Sequence, residues 1–170
     1  MKQENIERTI TIKNLAECLW CAPLAAHWSF TEWYVERNIP FAVNLAAYQK
    51  RGNLNSVPLC HILFLDDLPI GMGSLKENDL WSRKDLNPWL ASVYIIPQMR
   101  NRGYGKILIS SLEEKAWTMG IEQLFLFLGQ HEQSKLSHFY SALGWTQFDE
   151  AVDNDGKPTR IFMKKKKLIL

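Results

Sequence analysis

The chain has no apolar run approaching the ~20 residues that a membrane-spanning helix needs, and nothing in it resembles a signal peptide. A cytoplasmic protein without a membrane partner is therefore expected. Cysteine is scarce: three residues, an odd number, make no disulfide framework. Cys18 and Cys21 have the spacing of a redox or zinc half-site, but no second Cys/His pair completes it. With His27, His61 and His138 scattered, no metal is expected. Neither sign of charge dominates. The formal net charge is +2, with 14 Lys/Arg against 16 Asp/Glu in residues 1–150 and six against two in the last 20. That is no bulk basic field, so no nucleic-acid partner is expected, and Lys164 to Lys167 read as a strand running into a solvated tail. Repeats, linkers and low-complexity segments are also absent, which leaves one domain over residues 1–170.

What is present is a 46% apolar composition over 170 residues, enough to bury a real core. Residues 9–13 alternate briefly as a first strand. Leu15, Leu19, Ala22 and Ala26 then recur at helical spacing, with Pro23 expected to break or kink that helix. A second helical segment covers residues 41–50. Residues 60–65 and 69–75 read as a hairpin, residues 78–88 as a polar loop, and residues 90–96 as an apolar strand suited to a sheet centre. Leu108, Leu112, Ala116 and Met119 share one helix face, closed by Gly120. A strand over residues 124–128 follows, then a helix carrying Leu136, Phe139, Tyr140 and Leu143 and closed by Gly144. Residues 145–148 and 159–165 form a terminal hairpin turning at Asp155-Gly156. The order predicts an α/β fold with a mixed sheet.

The most informative stretch is Pro97-Gln98-Met99-Arg100-Asn101-Arg102-Gly103-Tyr104-Gly105-Lys106, between the apolar strand and the helix. A strand ending in a Gly-containing basic loop that opens a helix is a phosphate cradle: backbone N–H groups and the positive helix end converge, and glycine lets the anion come close. A Rossmann-type reading is disfavoured, because neither a third glycine nor a following ribose-binding acid is in place.

Residues 88–97 and 100–106, followed at a family-like distance by residues 124–128 and then His138-Phe139-Tyr140-Ser141-Ala142-Leu143-Gly144-Trp145, resemble the GNAT superfamily of acyl-CoA N-acyltransferases. The resemblance covers residues 58–165 as the acetyl-CoA-binding core, with residues 1–57 as the variable helical region that binds the acceptor. It implies a central, mostly antiparallel mixed sheet, splayed between two strands and flanked by helices. It also implies transfer of acetyl from acetyl-CoA, as cosubstrate, directly to an amine by a monomer or homodimer. Arg100, Asn101, Arg102, Gly103, Tyr104, Gly105 and Lys106 would hold the coenzyme A pyrophosphate. Val93, Tyr94 and Ile95 would line the pantetheine arm, with one freed N–H on the thioester carbonyl. Gln133 falls about where many relatives place a cofactor-contacting Asn. Tyr140 matches the tyrosine that can protonate the leaving thiolate.

The general base is the gap in this pattern. Many relatives place an acid on the strand matching residues 124–128, which here is Leu-Phe-Leu-Phe-Leu. Glu77 is the first replacement and Asp79 the second, because that strand end borders the acceptor pocket in the family; His131 is a runner-up. Trp20, Trp28, Trp33 and Tyr34 read as core or as an aromatic wall around the acceptor. Two other functions stay open: a GNAT-fold protein that binds acyl-CoA without turnover, and a nucleic-acid or partner-binding module using the basic tail.

Overall fold

The structure, a computed structural model, describes residues 8–129 and 133–167, without the side chains of Gln133 and Ser134. Seven strands form one sheet: β1 (Ile10–Asn14), β2 (Leu59–Leu65), β3 (Leu68–Lys76), β4 (Trp89–Ile95), β5 (Gln123–Leu128), β6 (Thr146–Val152) and β7 (Pro158–Lys165), in the spatial order β1-β2-β3-β4-β5-β7-β6. Four α-helices accompany them among the described residues: α1 (Ala22–Ser29), α2 (Phe41–Gln49), α3 (Tyr104–Thr118) and α4 (Gln133–Ala142). Every neighbouring pair is antiparallel except β4–β5. The mixed α/β architecture predicted from the element order is the one observed.

Two local predictions change. Pro23 does not break the first helix; it stands in the first turn of α1, where its missing N–H has no intrahelical acceptor to lose and its fixed φ suits the helix start. Beyond Ser29 the chain continues through a π-helical turn, Phe30–Tyr34, and a 3₁₀ turn, Val35–Arg37, before α2. No periodicity in the sequence marks that change of winding.

The alternation along β5 explains the two layers. Leu124, Leu126 and Leu128 point into the cluster built with α3 and α4, whereas Phe125 and Phe127 point to the other face, against Trp89. Every residue of β2 is buried, because the opposite face of the β1–β4 half is covered by α1 and α2 through Ala25, Ala26, Trp28 and Tyr48.

Two features of β4 set up the site. Met72 pairs with Tyr94 and Ser74 with Ala91, so two residues of β4, Ser92 and Val93, stand opposite the single Gly73. Ser92 takes φ 54°, a left-handed conformation that costs a serine about 1 kcal/mol or more. On the other side, β4 meets β5 at one register position, Trp89 opposite Phe125, with Phe125 N–H donating to Pro88 O at 3.1 Å. Trp89 is fully buried, donates its indole N–H to Leu86 O at 2.7 Å, and packs on Phe125 and Phe127. An aromatic cluster thus closes one end of the β4–β5 junction, and the strands part beyond it.

His61 on β2 is 8% exposed and faces α3, with Nδ1 3.0 Å from Ser111 Oγ. Ser111 spends its own hydroxyl proton on Leu108 O at 2.7 Å, which assigns Nδ1 as the protonated nitrogen of a neutral ring. Burial first, and then Lys115, lowers its pKa to about 4. The unfolded chain therefore binds a proton between about pH 6.5 and 4 that the folded chain does not. Stability is full above pH 6.5 and falls as pH drops through that window, by up to about 3 kcal/mol. Thermal unfolding from pH 7 to 4 measures this, and His61→Gln is expected to flatten the slope.

Candidate active site

The basic loop lies at the open end of the parted strands. After a 3₁₀ turn, Pro97–Met99, Arg100 is extended, Asn101 takes φ 61° and Gly103 takes φ 84°, and α3 starts at Tyr104. Gly103 is the N-cap residue, and no side chain caps the helix. Among the described residues no acceptor takes the N–H groups of residues 103–106, the four that a helix start leaves over. A Cβ built on Gly103 would meet no atom within 4 Å. The positive end of a 15-residue helix and four donors therefore converge on open space, which suits an anion. Arg102 is exposed and Lys106 lies in the first turn of α3.

Among the described residues, the gap between β4 and β5 carries further unpaired backbone. Ile96 N–H donates to Ile70 O at 2.9 Å, so the alternation of a strand turns the N–H groups of Val93 and Ile95 away from β3 and toward the gap. Ile95 O, on the same side, accepts from Arg100 Nε at 2.8 Å. Val93 packs against the cluster that contains Tyr140. Tyr140 sits on α4, 8% exposed, edge-on to Phe139 and Trp145. Tyr94 points to the other face, between Trp28, stacked at 5.6 Å, and Trp33. Gln133 is the first residue of α4, its side chain outside those described, and His131 lies outside the described residues.

On the α1–α2 face a cavity of about 370 Å³ opens beside the end of β3. Tyr34, Arg37 and Ile39 wall one side, Lys76, Asp79 and Trp81 a second, and Asn154 and Asp155, from the β6–β7 turn, a third. Arg37 Nη2 and Asp155 Oδ2 join two of these walls at 2.6 Å, and Asn154 pins the turn to the Asp79 carbonyl and the Trp81 N–H. Asp79 pairs with Lys76. Glu77, by contrast, is exposed and does not line the cavity. Lys76 lies opposite Trp89, so the cavity begins three residues along β4 from the bulge at Ser92, about 10 Å at the rise of a strand.

The cysteines offer no nucleophile. All three are buried and free, and burial pushes Cys18 up, Cys21 to about 12 and Cys60 to about 11, which leaves them as thiols at neutral pH. The aromatic group read from the sequence divides: Trp28 is core, Trp20 is 65% exposed, and Tyr34 lines the cavity. Lys164 is not a free tail residue. Its ammonium donates to Glu113 Oε2 at 2.6 Å and Leu143 O at 2.7 Å, while Glu113 Oε1 accepts from Trp145 Nε1 at 2.8 Å. Three residues escaped the sequence reading: Ser92, Arg37 and Trp81. Only Ser92 had a signal, a polar residue inside an apolar strand.

A sheet parted between two parallel strands, with an uncapped helix start at the open end, is the architecture of an acyl-group transferase. The chain matches the acetyltransferase (GNAT) family over residues 22–145 and belongs to it. No curated protein matches it. Among solved structures it resembles YncA of Salmonella typhimurium, a proposed acetyltransferase bound to acetyl-CoA, at 16% identity over 96% of each chain and a TM-score of 0.68. A proposed N-acetyltransferase of Lactobacillus plantarum shares 22% identity over 92% of this chain and 98% of its own, with a TM-score of 0.63. An aminoglycoside 6′-N-acetyltransferase complexed with coenzyme A shares 12% identity over 91% and 96% of the two chains, with a TM-score of 0.71. At such identities the likeness is one of fold. Among the described residues no helix is long and apolar enough to cross a membrane, and no group of three or more His, Cys, Asp or Glu is placed to hold a metal ion.

Proposed function

We propose that the protein transfers acetyl from acetyl-CoA directly to an amine. The observation that carries this reading is the uncapped start of α3 at the open end of the β4–β5 gap. The loop over residues 100–106 would hold the pyrophosphate. The pantetheine arm would lie along Val93, Tyr94 and Ile95 as a strand fills a missing place in a sheet. The Val93 or Ile95 N–H would bind the thioester carbonyl and hold the oxyanion that forms on it. Attack by the amine nitrogen on the thioester carbon breaks the C–S bond after a tetrahedral intermediate. Tyr140 would protonate the departing thiolate, and the excess proton on nitrogen would leave through a carboxylate or water.

The cavity would take the acceptor, whose amine must extend about 10 Å to reach the bulge. Asp79 and Asp155 are paired with Lys76 and Arg37, so Glu36, a third lining carboxylate, and the exposed Trp81 are what suit a cationic, elongated molecule. Thiol release from acetyl-CoA across an amine panel tests the reading. Coenzyme A binding with no thiol release from any amine would favour a binding protein without turnover. A nucleic-acid role has less to work with, because Lys164 is committed to Glu113.

Asp79 lines the cavity and Glu77 does not, which favours Asp79 as the base in this reading. Below the acceptor's own pKa the amine is protonated and a base is needed; above it the free amine needs none. Asp79→Asn is expected to lose about tenfold in rate at pH 6.5 and to recover toward wild type as pH rises, with Glu77→Gln within about twofold throughout. A pH–rate profile of the two variants decides it, and a parallel Asp79→Asn profile leaves deprotonation to water.

A further inference from the structure

Arg100 belongs to the loop that would hold the pyrophosphate, and its side chain already has partners of its own. Its Nε donates to Ile95 O at 2.8 Å, its guanidinium lies 5.2 Å from the centre of the Tyr94 ring, and Nη2 stands 3.4 Å from Glu32 Oε2. Glu32 lies in the π-helical turn Phe30–Tyr34. Its two neighbours continue the path. Trp33 packs edge-on to Tyr94 at 6.4 Å, and Tyr34 lines the cavity, where Arg37 covers its ring at 5.4 Å and reaches Asp155. One short segment thus touches the loop through Glu32, the β4 wall through Trp33 and the cavity through Tyr34.

We propose that Glu32 is a positioning residue that couples occupancy of the coenzyme A loop to the shape of the acceptor cavity. The inference rests on the reading of loop and cavity given above. A guanidinium has five N–H donors, and Arg100 spends one on Ile95 O and one on Glu32. The Arg100–Glu32 pair is long at 3.4 Å and its side chains are 42% and 35% exposed, so exchanging Glu32 for another anion costs little. A pyrophosphate settling on the amides of residues 103–106 brings such an anion to the neighbouring loop. The guanidinium stays anchored on Ile95 O and Tyr94 while its outer edge changes partner. Glu32 is released, and the π-helical turn, a winding that recurs at functional sites, resets Trp33 and Tyr34.

Calorimetry with coenzyme A, combined with tryptophan fluorescence, tests this on the full chain, the Trp33 contribution being taken as the difference between wild type and Trp33→Phe. Coenzyme A is expected to change Trp33 emission in the wild type. Glu32→Gln is expected to bind coenzyme A as tightly or up to about threefold more tightly, since a competitor for Arg100 is gone, and to lose at least half of that change. The double variant Glu32→Gln/Arg100→Gln is expected to respond like Arg100→Gln alone, because both act through one pair. If the wild type binds no coenzyme A, the reading of the loop falls and the coupling with it. If it binds and Trp33 responds equally in Glu32→Gln, or the two substitutions add, the coupling alone is overturned.

Discussion

Tyr140→Phe is expected to lower kcat about 100-fold or more while leaving acetyl-CoA binding nearly unchanged. The substitution keeps the ring, and the ring is what packs: Tyr140 sits 5.2 Å from Phe139 and 6.1 Å from Trp145, centroid to centroid, in the cluster shared by α3, α4 and β5. Only the hydroxyl is removed. A thiolate leaving without a proton donor raises the barrier of the step in which the C–S bond breaks, and an effect of that size on kcat alone marks an interaction made in the transition state. Steady-state kinetics with calorimetric acetyl-CoA binding measures both quantities. Wild-type turnover in the variant would reduce Tyr140 to a packing residue.

Gly103→Val is expected to weaken coenzyme A binding at least tenfold, about 1.4 kcal/mol or more. The structure separates two contributions to that loss. At φ 84° any L side chain is strained, a branched one most, so some stability is lost as well. The second contribution is steric and concerns the ligand alone, since no protein atom lies within 4 Å of the added Cβ. Gly103→Ala and Gly120→Ala isolate it. Gly120, at the far end of α3, has φ 80° and equally open surroundings, so its alanine variant carries the same strain without touching the cradle. Coenzyme A affinity is expected to fall in Gly103→Ala and hold in Gly120→Ala. Equal affinities would remove the cradle assignment.

What could be read in the sequence was local in kind. The order strand, Gly-containing basic loop, helix pointed to the uncapped start of α3, because that geometry is made by consecutive residues. The alternating Leu-Phe-Leu-Phe-Leu of β5 carried its own two-faced burial, and Gly120 and Gly144 marked helix ends through the left-handed backbone they adopt. The cavity was beyond reach for the opposite reason. Its walls are joined by Arg37 and Asp155, 118 residues apart, and the loop over residues 100–106 meets the π-helical turn through Arg100 and Glu32, 68 apart. Exposed charged residues at such separations leave no periodic trace. Pro23 misled because a proline near a helix start and one inside a helix look alike until the first turn is located.

Parting β4 from β5 gives this sheet something most sheets confine to their borders, two bare strand edges in its middle. An edge with straight, regularly spaced donors and acceptors invites any passing strand, from the same chain or from another molecule. The left-handed Ser92 and the doubled residue opposite Gly73 spoil that regularity on β4. A stray strand could match the Trp89 end or the Ile95 end, but not both in one register. The bulge therefore works against these edges zipping shut or recruiting a neighbour. That protection gives the fold a reason of its own to keep a strained serine.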